Sequence, residues 1–173
     1  MSNEAKVNMG ENNVAKQTQK GLNMRTDTLT CSYQMDTTSS TFFSILLGEQ
    51  EKFFLAKHLT TSFGEGCQIE TMIQTKSAPQ LVPAVMTVKK ITADELWINT
   101  VHEEGVIDQR YQVTSQKNGK LQVTYSEQSH FARQRTAYSF MLVALFYKFF
   151  FNRGVKKRMR YLEELCQKVE TRK

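Results

Sequence analysis

Three histidines and three cysteines hold most of the reactive potential of this chain. His58, His102 and His130 are candidate ligands or bases, and Cys31, Cys67 and Cys166 candidate nucleophiles. A zinc site needs its donors at short, fixed spacings, because neighbouring ligands must reach one ion from one turn or helix face. None of the histidines belongs to such a spacing. The segment HEEG, His102 to Gly105, lacks the second histidine of a zinc-protease helix. A cysteine beside a histidine would make an activated nucleophile, yet three of each make such pairs easy to assemble by chance. The stretch GEG at Gly64 to Gly66 is too short for a phosphate-cradling loop. The expected chemistry is therefore that of holding, with no catalytic residue, no metal and no cofactor.

Other side chains suit a binding role. Arg110 and Glu127 are candidates for polar groups at a cavity mouth, and a surface ion pair of small energetic value explains them equally simply. Trp97, Tyr111 and Tyr125 fit either the wall of a pocket or ordinary core, and spacing alone favours core.

The element that must position these groups is the last stretch, from about Ala132 to Arg172. Phe140, Ala144, Tyr147, Phe151, Val155, Met159, Leu162, Cys166 and Val169 recur at steps of three and four, the period of a helix. A second stripe, Tyr138, Leu142, Leu145 and Phe149, lies on roughly the opposite face and stops near Asn152. The helix is thus apolar all round in its first half and on one side in its second. Residues 136–152 contain a single charge, Lys148. At about 1.5 Å per residue they span roughly 25 Å, short of a hydrocarbon core of about 30 Å. Lys148 and the flanking Arg135 and Arg153 also disfavour a transmembrane helix.

Charge is uneven along the chain. From Ala132 onward eleven Lys and Arg face three Glu, a balance of +8, while the remainder holds twelve basic and fourteen acidic residues, −2. Such a basic segment can meet nucleic acid or anionic lipid, but is most simply the wet face of an amphipathic helix. The three cysteines have no paired spacing, and the N-terminus has no basic stretch feeding an apolar core. Free thiols in a reducing cytoplasm are expected.

With 173 residues, one domain is expected. Residues 1–27 are rich in Asn, Gln, Lys and Glu without sustained period and read as a disordered leader before a domain over 28–173. Thr28 to Met35 alternates as a strand. Asp36 and the cluster TTSS supply helix-start oxygens. A short helix through Phe42, Phe43, Leu46 and Leu47 is expected to stop at Gly48, and a second to run from Glu49 to about Leu59. Five strand candidates follow: Cys67–Lys76, Val82–Ile91, Leu96–Glu103, Val106–Gln116 and Lys120–Ser129. Pro83 is tolerable only near a strand start or on an edge.

The last two candidates form a hairpin around Lys117-Asn118-Gly119. A two-residue loop would set Val123 opposite Thr114 and mix apolar with polar on both faces. A three-residue loop with Gly119 in a left-handed bulge sets Val123 opposite Val113 and Tyr125 opposite Tyr111. Register follows the buried face, so the bulged loop is expected.

Strand, short helices, antiparallel strands and a long final helix make an α+β chain whose order resembles the helix-grip fold. The segments TLTCSYQMDTTSSTFFSILL, VKKITADELWINTV, DQRYQVTSQKNGKLQVTYSEQ and KKRMRYLEELCQKVE resemble the START-like, birch-pollen-allergen-like (SRPBCC) superfamily. More narrowly, they resemble a small bacterial domain-of-unknown-function family, number 3284. The resemblance spans about Thr28 to Val169. It implies a curved antiparallel sheet of about six strands wrapped on the long C-terminal helix, with two short helices after the first strand. It also implies an apolar cavity between sheet and helix, and no known activity. Cavity candidates are then Trp97, Tyr111, Val113, Val123 and Tyr125 from the sheet and Leu142, Leu145 and Phe149 from the helix.

The favoured function is a cytoplasmic, non-enzymatic module holding a hydrophobic small molecule or lipid. Alternatives are a peripheral membrane protein using the apolar and basic helix, and a cyclase- or hydrolase-like enzyme lacking a convincing acid–base pair. Nucleic-acid binding is not expected, because the rest of the domain is acidic.

Overall fold

The computed structural model describes residues 28–58, 61–74, 80–103, 105–131 and 140–171, with only the backbone described for Phe131 and residues 140–147. The order is β1 (Thr28–Met35), α1 (Ser39–Ala56), β2 (Gln68–Gln74), β3 (Leu81–Ile91), β4 (Glu95–His102), β5 (Gly105–Ser115), β6 (Leu121–Phe131) and α2 (Phe140–Glu170). The six strands form one antiparallel sheet in the order β1-β6-β5-β4-β3-β2. Strands β2 to β6 are a meander, and β1 closes the far edge by pairing with β6. The leader expected over 1–27 lies outside the described residues.

Strand alternation puts one apolar set on the face toward the helices. In β1 these are Leu29, Cys31, Tyr33 and Met35, with Cys31 opposite Tyr125 and Met35 opposite Leu121. Between β5 and β6, Val113 faces Val123 and Tyr111 faces Tyr125, the register of the bulged loop. Gly119 sits at φ +78° and donates its N–H to Gln116 O at 3.0 Å, while the Asn118 side chain accepts from Lys120 N at 3.1 Å. A left-handed residue at this point returns the chain without slipping the ladder. Pro83 lies near the start of β3, just before the β4 pairing begins at Ala84 and His102.

Helix α1 starts at Thr38, whose Oγ1 accepts from Thr41 N at 3.1 Å. It then runs unbroken for 18 residues, so the two short helices are one. Gly48 does not end it. Glycine weakens a helix interior by about 1 kcal/mol relative to alanine, but the following EQEKFF holds residues that favour helix. Phe42, Phe43, Leu46 and Phe54 turn into the core on both sides of Gly48, and that burial outweighs the local cost.

Helix α2 is 31 residues, roughly 46 Å at 1.5 Å per residue. Its second half follows the expected stripe: Val155, Met159, Leu162 and Cys166 are buried against Met35, Phe42, Leu46, Tyr111 and Val123. Burying each large apolar side chain contributes about 1.5–3 kcal/mol, and this seam holds helix to sheet. Polar ties fix its far end: Tyr33 OH donates to Glu163 Oε2 at 2.8 Å and Thr37 Oγ1 to Glu170 Oε1 at 2.7 Å. Val169, the last residue of the stripe, is already 38% exposed. Among the residues of α2 with described side chains, the other end is open to water. Lys148, Phe149 and Phe150 are all exposed, and three successive residues at about 100° intervals sample most of the helix circumference.

Candidate functional site

Inside the grip, a polar cluster sits among aromatic rings. Tyr111 and Tyr125 face each other across β5 and β6 with ring centroids 4.8 Å apart. Phe151 of α2 stacks on Tyr125 at 5.8 Å. From about two helical turns further on, Arg158 Nη1 donates to Tyr111 OH at 2.8 Å, and its guanidinium lies 5.9 Å from the Tyr125 ring. Tyr125 OH accepts from Gln109 Nε2 at 2.9 Å and donates to Glu127 Oε2 at 3.3 Å. Pairing of Gln109 with Glu127 places both on the inner face next to the tyrosines.

Burial dominates the electrostatics. Both phenols are within 3% of full burial, which raises their pKa well above the ordinary phenol value. At Tyr125 the nearby Tyr111 and Glu127 push the same way, and Arg158 and the Gln109 hydrogen bond only partly oppose them. At Tyr111 the Arg158 charge pulls downward without overcoming burial. Arg158 is held more firmly protonated, chiefly through Tyr111. The cluster is thus two neutral hydroxyls, one fixed cation, an amide and a carboxyl group. Because Tyr111 oxygen accepts from Arg158, its own proton remains to be donated elsewhere. Such a set can orient a polar group.

The remaining expected residues distribute unevenly. Val113 and Val123 lie on the inner face beside the tyrosines, Val123 fully buried. Trp97 does not face the helix. It pairs with Arg110 on the outer face, where the guanidinium stacks on the indole at 4.3 Å and Nε1–H donates to Asp108 Oδ1 at 2.8 Å. One residue of register separates it from the inward Leu96, so Trp97 is removed from any cavity between sheet and helix. Arg110 likewise belongs outside, 3.9 Å from Glu95, while Glu127 points inward, so the two do not share a cavity mouth. Phe149 is 63% exposed. The side chains of Leu142 and Leu145 lie outside the described residues.

Arg158 belongs to the basic segment and stays exposed, but the sequence reading missed that its guanidinium also reaches Tyr111. It follows Val155 by three and precedes Leu162 by four, so it flanks the buried stripe, and that spacing was the available signal. Beyond the tyrosines the inner face changes character: Thr71, Thr100, His102 and Ser129 are all buried there. An open depression of about 390 Å³ lies elsewhere, among Asp36, Ser39, Ser115, Lys120 and Glu170, and none of the expected lining residues borders it. Among the described residues no three metal-binding side chains gather. Cys31, Cys67 and Cys166 are buried free thiols. Burial raises the pKa of Cys31 and Cys166, the reverse of what a nucleophile needs.

No family model matches the chain, and no curated protein matches it. Solved structures do. A protein of unknown function, SA2116 from Staphylococcus aureus, aligns with TM-score 0.58 at 6% identity over 83% of this chain and 96% of that one. A START superfamily protein from Mycobacterium smegmatis aligns with TM-score 0.53 at 8% identity, over 82% and 98%. Ara h 8.0201 aligns with TM-score 0.51 at 7% identity, over 84% and 98%. At such identities the kinship is one of fold: the chain has the helix-grip architecture of the START-like and birch-pollen-allergen-like proteins.

Proposed function

We propose that this chain is a non-enzymatic binding module that holds a hydrophobic small molecule or lipid between the inner face of the sheet and α2. The observation that carries the reading is the Tyr111–Arg158 pair set among aromatic rings inside the grip. A buried hydroxyl costs stability unless it is bonded. Here one carries a proton to spare beside a guanidinium with further N–H groups. A ligand oxygen would accept from both while its apolar body lies along Val113, Val123 and Phe151. The high phenol pKa values and the raised thiol values support binding over catalysis. A cytoplasmic setting, suited to three free thiols, belongs to the same proposal. So does membership of the domain-of-unknown-function family, which rests on the segments quoted above.

Native mass spectrometry of protein purified from cells tests the reading. An apolar molecule should travel with the wild type and be reduced or lost in Tyr111→Phe and Arg158→Leu. A bare polypeptide mass, together with no uptake of a fluorescent fatty-acid probe, would overturn it.

A further inference from the structure

The outer face of α2 carries an arrangement that ligand binding does not use. Phe149, Arg153, Lys156 and Arg160 recur at steps of four, three and four, with Phe150 and Lys157 beside them. At 100° per residue these six share the face opposite Val155, Met159, Leu162 and Cys166. All six are exposed. Phe149 and Phe150 are each 63% exposed, and their rings pack edge to face at 5.6 Å, forming one apolar knob. Arg158, by contrast, is turned inward to Tyr111 and is not part of this face.

Two phenylalanines left in water are an unfavourable feature unless something covers them. The charges beside them indicate what does. We infer that this face of α2 docks on an anionic lipid surface, with Phe149 and Phe150 entering the acyl boundary and Arg153, Lys156 and Lys157 meeting the headgroups. A bilayer surface supplies negative charge and an apolar layer directly beneath it, in the order in which the helix presents cations and rings. A second copy of the chain would set one basic helix against another, and the like charges repel. Nucleic acid would match the cations but offers the phenyl knob no apolar layer. Among the described residues no helix is long and apolar enough to cross a membrane, so α2 lies on the surface.

This inference does not depend on the ligand in the grip. Its test is flotation of the full chain with phosphatidylcholine vesicles, with and without phosphatidylserine, at low and physiological salt. Binding should require phosphatidylserine and fall as salt rises. Arg153→Gln, Lys156→Gln and Lys157→Gln together should weaken it roughly a hundredfold, at about fivefold per charge. Phe149→Ser with Phe150→Ser should abolish stable flotation while leaving the melting temperature unchanged, because both side chains are exposed. In Phe150→Trp, the emission should shift to the blue on anionic vesicles. Equal binding to neutral vesicles, or none to anionic ones, overturns the inference. So does a dimer that the double Phe variant converts to monomer, or oligonucleotide binding that survives that variant in a protein that fails to float.

Discussion

Arg158 on α2 and Tyr111 on β5 meet through a single 2.8 Å hydrogen bond that crosses from helix to sheet, 47 residues apart in the chain. The guanidinium is the donor, and the phenol that accepts it is 2% exposed. This bond ties the inner polar cluster of the sheet to α2.

The pair should therefore behave as a unit in stability. Arg158→Leu leaves the Tyr111 hydroxyl without its partner and should cost about 1–3 kcal/mol. Tyr111→Phe should cost somewhat less, because Arg158 has access to water. The double variant should fall short of the sum by about 1 kcal/mol or more, as contacting residues do. Urea unfolding of the four proteins measures this, and strict additivity would show that the bond contributes nothing.

The two phenols set a limit at high pH. Their folded pKa values are raised above the ordinary 10.0, so above about pH 10 the unfolded chain gives up protons that the folded one keeps. The stabilisation by neutral Tyr111 and Tyr125 is complete below that point and is lost as pH climbs toward their folded values. Stability should fall by about 1.4 kcal/mol per pH unit for each buried tyrosine. Removing one phenol, in Tyr125→Phe, should make the fall shallower. A stability curve that stays level through about pH 11 would contradict the burial assigned to both rings.

Gly119→Val should destabilise the domain by about 1 kcal/mol or more. Nothing lies within 4 Å of where a Cβ would stand, so the penalty is one of backbone conformation at φ +78° and not of collision. Gly119→Asn, which tolerates that region, should recover much of the loss. Thermal melts of both variants separate strain from crowding.

Gly48→Ala should do the reverse and add about 0.5–1 kcal/mol. The glycine lies within continuous helix and a Cβ there meets nothing within 4 Å. Had the chain broken at Gly48, alanine would be neutral or harmful, so a rise in melting temperature tests the continuity of α1.

Where residues report on their own surroundings, the sequence was readable. Val113, Tyr111, Val123 and Tyr125 alternate so regularly around Asn118-Gly119 that only one register keeps them together. Val155 to Cys166 keep helical period because one face of α2 is buried for three turns. What resisted reading depends on partners distant in sequence. Trp97 looks like core until the pairing of Leu96 with Tyr111 fixes which neighbour turns inward. Arg158 looks like one more solvated cation until β5 supplies Tyr111. Gly48 carries a stop signal that the packing of Phe54 overrides. The exposure of Phe149 fits the alternative reading of the all-round apolar stretch, which period alone could not choose over burial.

The closing of the sheet by β1 also bears on how the protein is made. Thr28 pairs with Gln128, Tyr33 bonds Glu163 across 130 residues, and Thr37 bonds Glu170 across 133. The segment that leaves the ribosome early is thus the one whose partners arrive late. Until β6 and α2 emerge, β1 has an unpaired edge and Phe42, Phe43 and Leu46 have no seam to enter. Contacts of such high sequence separation slow folding and leave sticky intermediates exposed. Circular permutation that opens the chain between β1 and α1 and links the end of α2 to β1 would bring β1 nearer in sequence to β6 and α2 and speed folding, while leaving the final architecture unchanged.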